Sequence, residues 1–252
     1  MNIHFVQKIK KTTAAAAVVL GIFLVLLGIV KLCNYLVVDD TDSYTRLTLH
    51  ELYEMEGQIE TVFLGSSHCF RAYDPMLYEE LTGEAAFNLG SSSQNYDTSY
   101  YLLKEALRFH PIKRVYLDMY YSFFFLGEEN RDLVQANIIS DYMRPSFNKM
   151  DFILHMSSPE HYTNSIFPFR REWRNLGDLA YLRENLTKKG QDAYRNYEPV
   201  VHEDEAYVGR GYAASQTELK PGEITWWDKF TDIDLTGDDS FAGKYLEQIV
   251  NL

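Results

Sequence analysis

Residues 60–70 read ETVFLGSSHCF, a short apolar run that ends in a glycine and two serines. A run of this length, bounded by Gly65, predicts a buried strand rather than a helix. Two similar runs follow. Residues 85–90 (AAFNLG) predict a second strand, and residues 112–119 (IKRVYLDM) a third after the turn residue Pro111. Helical segments separate them. DPMLYEELTG has Asp74 as N-cap, Pro75 at the first helical position and Gly83 near its end. DTSYYLLKEALRF, residues 97–109, sets Leu102, Leu103, Ala106 and Leu107 on one face. Short strands alternating with helices imply an α/β fold with a parallel sheet and right-handed crossovers, in which binding residues gather at the carboxyl ends of the strands.

Before this unit lies Thr12–Val30, TTAAAAVVLGIFLVLLGIV, without a charge. About 20 apolar residues suffice for a helix to cross ~30 Å of hydrocarbon, so a transmembrane anchor is expected over 12–38. Lys8, Lys10 and Lys11 precede it and Asp39, Asp40 and Asp42 follow. The basic flank predicts a cytoplasmic tail, residues 1–11, and an extracytoplasmic body. A cleaved leader would need a small-x-small site, and KLCNYLVVDD after Val30 offers none. Residues 39–57 form a juxtamembrane segment, with a helix expected over Tyr44–Glu56.

The chain of 252 residues carries a net charge of −12. All four charges before Asp39 are basic, leaving 20 basic against 36 acidic side chains in the remainder, a balance of −16. Such a body lacks the basic footprint of a nucleic-acid binder. Cys33 and Cys69 are the two cysteines; their placement argues against an intramolecular disulfide, and no C-x-x-C or His/Cys cluster points to a metal or other cofactor. Aromatic residues make up 15% of the chain, which suits either an aromatic core or a carbohydrate-contacting face.

A serine between a strand and a helix stands exposed at the sheet edge, where turn N–H groups can hold an oxyanion. It also needs a base, usually a histidine oriented by a carboxylate. The block FLG-S-S resembles the FLG-D-S block that opens the SGNH (GDSL-like) hydrolases and acyltransferases. The GSSH form is similar to an envelope-facing subgroup that includes teichoic-acid D-alanine transfer and polysaccharide O-acetylation proteins. NLGSSSQ, residues 88–94, resembles the family's N-x-G-x-x-G block.

The resemblance implies a flavodoxin-like, three-layer SGNH-type sheet over 58–122, with a large insertion or small subdomain over 123–240. A further core helix starts in 241–252 (FAGKYLEQIVNL), and the sheet is expected to be incomplete where the chain ends. It also implies Ser67 as nucleophile and Ser67, Ser93 and Gly90 as oxyanion donors. Ser66, His68, Asn88, Gln94 and Asp118 are candidate pocket residues. Asp118 stands where the family has an Asn. The family's D-x-x-H is absent: Asp151 and His155 are spaced one residue too far and read as two solvated side chains.

The implied activity is that of an esterase or O-acyltransferase on an envelope glycan or teichoic acid, with a membrane-bound acyltransferase as partner. The alternative is a binding protein of the same fold without catalysis. His68, next to Ser67 in sequence, is poorly placed to be its base, and Cys69 reads as a small buried residue. FPFRREWRNL, residues 167–176, reads either as a glycan- or phosphate-contacting patch or as the start of an amphipathic helix with solvated arginines. Trp226-Trp227 reads as a bilayer-surface pair or as core.

Overall fold

A computed structural model describes residues 3–120, 132–202, 204–215 and 240–252. The Trp226-Trp227 pair lies outside the described residues. The chain forms two compact units: residues 1–39 with 167–190, and residues 40–166 with 191–252.

In the first unit, helix α1 (Ile3–Val37) holds an apolar stretch, Ala15–Val37, long and apolar enough to cross a membrane. At 1.5 Å per residue its 23 residues reach about 34 Å. In the rest of this unit, 3₁₀ turns at Pro168–Arg170 and Trp173–Gly177 lead into a helix at Leu179–Lys189, and all three pack on α1. Polar side chains explain the packing. Asn185 Nδ2 donates to the carbonyls of Leu36 and Val38, and Tyr181 Oη donates to that of Val37. Lys189, 2% exposed, donates to the carbonyls of Tyr35 and Val38. The last carbonyls of a helix have no partner within it, and this segment supplies them.

The second unit is built on a parallel sheet of β1 (Thr61–Leu64), β2 (Ala86–Asn88) and β3 (Arg114–Leu117), in the order β2-β1-β3. Around it run α2 (Tyr44–Glu54), α3 (Ser67–Ala72), α4 (Pro75–Thr82) and α5 (Tyr96–Leu107). The period of two in a strand sends alternate side chains to opposite faces. Val62 and Leu64 join Leu49 and Leu52 of α2 and Leu102 and Leu103 of α5 in the main core. Phe63 faces Cys69 of α3 and Tyr78 of α4. Helices therefore cover both faces.

Beyond β3, α6 (Leu133–Tyr142) and α7 (Phe147–Met156) bury Ile139 and Phe152 in that same main core. Residues 133–156 thus contribute to the core of the sheet. A short helix α8 (Tyr162–Ile166) follows; the helix at Leu179–Lys189 of the first unit is α9, and α10 (Asp192–Arg195) resumes the second unit. An antiparallel sheet then forms from β4 (Val201–His202), β5 (Glu205–Gly209) and β6 (Tyr212–Ser215). Its tip sits against β2, where the Asn88 N–H donates to the Arg210 carbonyl over 2.9 Å. Gly211 has φ of +78°, and a Cβ there would lie 1.7 Å from the Asn88 carbonyl oxygen. Only glycine allows so close an approach. Helix α11 (Ser240–Val250) packs on α5 through Tyr245 and Phe241.

Candidate functional site

Strand β1 is central, and its carboxyl end carries Gly65, Ser66 and Ser67. The turn is shaped by Gly65, whose φ is +154°. A Cβ there would meet Asp118 Cβ at 2.6 Å and Cys69 Cβ at 3.0 Å. Neighbouring strand ends close around it: Ser91 N donates to the Gly65 carbonyl and Asp118 N to the Leu64 carbonyl. The carboxyl ends of all three strands thus meet at the serine turn, where a parallel α/β sheet carries its ligands.

Ser66 and Ser67 divide the work. Ser66 is the N-cap of α3 and only 3% exposed; its Oγ accepts from His68 N and lies 3.2 Å from His68 Nδ1. Ser67 opens the helix half-buried, and its Oγ makes no hydrogen bond with a described residue. The imidazole of His68 stacks on Tyr120, with ring centroids 4.5 Å apart. The serine–histidine contact in this turn is therefore made by Ser66, while the accessible hydroxyl is that of Ser67.

Asn88 is fully buried and committed to the scaffold. Its amide donates to the carbonyls of Cys69 and Tyr73, and its Oδ1 accepts from Gly90 N at 2.9 Å. The expected oxyanion role of Gly90 is corrected by that bond, because its N–H is already donated. Gly90 instead permits close packing: a Cβ would lie 2.9 Å from Phe70 N. Gln94 is also internal, accepting from Ser91 Oγ and donating to Ser99 Oγ. Its expected place in a pocket gives way to a brace for the loop. Ser93 is exposed with φ of +50°, a conformation uncommon outside glycine. Neither its N–H nor that of Ser67 bonds a described residue.

Asp118 closes the turn from the β3 side. Its Oδ2 is buried with no hydrogen-bond partner among the described residues. Burial raises its pKa above the ordinary carboxylate value, and the nearby His68 only partly offsets this. Tyr96, whose hydroxyl donates to the Tyr120 carbonyl, is raised to about 12 by burial and then by Asp118. Cys69 is fully buried, its thiol donates to Asn88 Oδ1, and burial pushes its pKa up. It has none of the exposure or positive surroundings of a reactive thiol.

Sequence spacing missed one cluster. Asp151 faces Lys104 at 3.6 Å instead of His155. His155 Nε2 lies 3.5 Å from Asp97 Oδ2 and 2.5 Å from Tyr245 Oη. Asp97 comes from α5, His155 from α7 and Tyr245 from α11, so only tertiary folding unites them.

A cavity of about 510 Å³ elsewhere in the second unit is lined by Arg46, His50, Tyr142, Arg144, Tyr194 and Tyr197 among others. The Arg46 guanidinium lies 3.7 Å and 4.0 Å from the Tyr194 and Tyr197 ring centroids and 3.7 Å from Asp40. It bolts α2 to residues 194–197.

No family model matches this chain, and no curated protein or solved structure matches it significantly.

Proposed function

We propose that this protein is a membrane-anchored, SGNH-like esterase or O-acyltransferase whose nucleophile is Ser67. In this reading α1 anchors the chain with its N-terminus in the cytoplasm, and the second unit works outside on an envelope glycan or teichoic acid. The sheet is of the flavodoxin-like, three-layer SGNH type, interrupted by an insertion or small subdomain between 123 and 240, with α11 as a later core helix. A membrane-bound acyltransferase is the fitting partner, and nucleic acid is not.

The observation that carries the proposal is the Gly65-Ser66-Ser67 turn at the end of the central parallel strand, with the half-buried Ser67 hydroxyl engaged by no described residue. Ser67 Oγ adds to an acyl carbonyl as its proton passes to a base. The oxyanion rests on the N–H groups of Ser67 and Ser93, and the alcohol departs with a proton, leaving acyl-Ser67. Water or a sugar hydroxyl then takes the acyl group.

One contact favours a second reading, polymer binding without turnover: no imidazole among the described residues hydrogen-bonds Ser67, and His68 is held on Ser66. A fluorophosphonate probe separates the two. The enzyme reading expects the wild-type protein to be labelled and Ser67→Ala to be silent with an unchanged circular dichroism spectrum. An unlabelled wild type leaves the binding reading. Label that persists in Ser67→Ala rejects Ser67 as nucleophile.

A further inference from the structure

The segment 167–190 is a basic, aromatic stretch in an acidic chain. It carries six basic side chains against three acidic ones, whereas the whole chain is at −12. Its buried face is accounted for by α1. Phe169 N donates to Asn34 Oδ1, and Tyr181, Asn185 and Lys189 take the carbonyls of residues 35–38. Lys188 pairs with Asp39 at 3.1 Å. Its outer face exposes apolar side chains among charges of both signs, with Glu172, Asp178 and Glu184 between the arginines. Trp173 is 61% exposed and Leu179 81%, and Leu176 is exposed beside them. Arg174 and Arg183 are exposed and form no ion pair with a described residue. An open groove on α9 combines Leu179 and Ala180 with Arg183.

Where this face lies relative to a bilayer follows from its attachment. All these bonds fall between Asn34 and Asp39, in the last turn of a stretch that ends at Val37 and the two residues beyond it. One helical turn rises about 5.4 Å, so if α1 spans the hydrocarbon the segment is confined to the headgroup layer where α1 ends. Tryptophan is enriched at that depth, and arginine pairs there with lipid phosphate.

We propose that residues 167–190 form an interfacial collar that seats on anionic phospholipid headgroups of the leaflet in which α1 ends. Trp173, Leu176 and Leu179 enter the acyl boundary, and Arg174 and Arg183 bind headgroup phosphates. The proposal rests on the reading of α1 as a membrane span. It accounts for why exposed tryptophan, leucine and arginine share one short segment of an acidic protein.

The test uses the full chain carrying Trp226→Phe and Trp227→Phe, so that Trp173 is the sole tryptophan. The protein is reconstituted in phosphatidylcholine vesicles with and without phosphatidylglycerol, using lipids brominated near the headgroup or near the methyl end. The proposal expects Trp173 quenching at least twofold stronger from shallow bromines than from deep ones. It also expects stronger quenching with phosphatidylglycerol, and loss of that increment in Arg174→Glu/Arg183→Glu. A nitroxide on Leu179→Cys, a substitution at an exposed site, gives an independent depth should the tryptophan variants misfold. Trp173 that no lipid quenches, in protein that resists alkaline carbonate extraction, overturns the collar and leaves the anchor standing. Quenching indifferent to phosphatidylglycerol overturns the anionic recognition. Protein extracted by carbonate overturns the anchor, and the collar with it.

Discussion

Gly211→Ala is expected to be among the most damaging single-methyl changes in the second unit. Gly211 and Gly57 both have φ of +78°, yet their surroundings differ completely. A Cβ on Gly57 meets nothing within 4 Å, while one on Gly211 falls 1.7 Å from the Asn88 carbonyl oxygen and 2.8 Å from its carbon. Holding an L-residue at that φ costs roughly 1–2 kcal/mol at either site. At Gly211 the methyl must also push the β5–β6 tip off β2. That adds roughly 1–3 kcal/mol of overpacking and about 1 kcal/mol for the Asn88 N–H to Arg210 bond.

The expected losses are therefore about 4 kcal/mol for Gly211→Ala and roughly 1–2 kcal/mol for Gly57→Ala. Denaturant unfolding of the two variants in detergent, followed by tryptophan fluorescence and circular dichroism, measures both. Losses that agree to within roughly 0.5 kcal/mol, the spread of neutral surface changes, would refute the steric argument and leave only the backbone term. Because Asn88 also holds Cys69 and Tyr73 through its side chain, Gly211→Ala should loosen the serine turn as well, seen as faster hydrogen exchange in α3.

Three further outcomes are expected. Asp118→Asn should raise stability at neutral pH. The folded-state pKa of Asp118 lies above its ordinary 3.8, so the native form binds more protons in that interval and stability falls as pH rises through it; the gain should vanish below the ordinary value, as unfolding curves across a pH series would read. Lys189→Met should leave the Tyr35 carbonyl without its donor, while Asn185 still holds that of Val38, at about 1–3 kcal/mol, and a protease or hydrogen-exchange footprint of 167–190 should rise while α5 is unchanged. Ser66→Ala should cost about 1 kcal/mol of α3 stability through loss of its cap, and thermal unfolding unchanged from wild type would deny that role.

The sheet was legible because its signals are local. Asp74 caps α4 by accepting from Met76 N and Leu77 N, and the αL glycine Gly83 ends it, as the stretch DPMLYEELTG foretells. The three apolar runs became β1, β2 and β3 because their residues alternate between two helix-covered faces. The turn at Gly65 could be placed, but not which serine would meet His68, since a one-residue step between an N-cap and the first helical position decides it. The pairing of His155 with Asp97 was invisible because its partners lie far apart in sequence on two helices. The role of 167–176 was hidden for a different reason. An aromatic-basic stretch suits a glycan, a phosphate or a helix face equally well, and only the packing on α1, with Phe169 N donating to Asn34 Oδ1, singles out its buried side.

That hydrogen-bonded clasp on the end of α1 bears on shedding. The chain passes between the two units at residues 39–40, 166–167 and 190–191. A protease cutting between Asp39 and Asp40 would sever the covalent tie to the helix, yet the released fragment still contains residues 167–190. Those residues keep their grip on Asn34 through Val38, so the fragment stays moored to its stump. Release of the second unit then requires two separate events, a cut and an unfastening. The second event is opposed by every buried carbonyl the clasp satisfies.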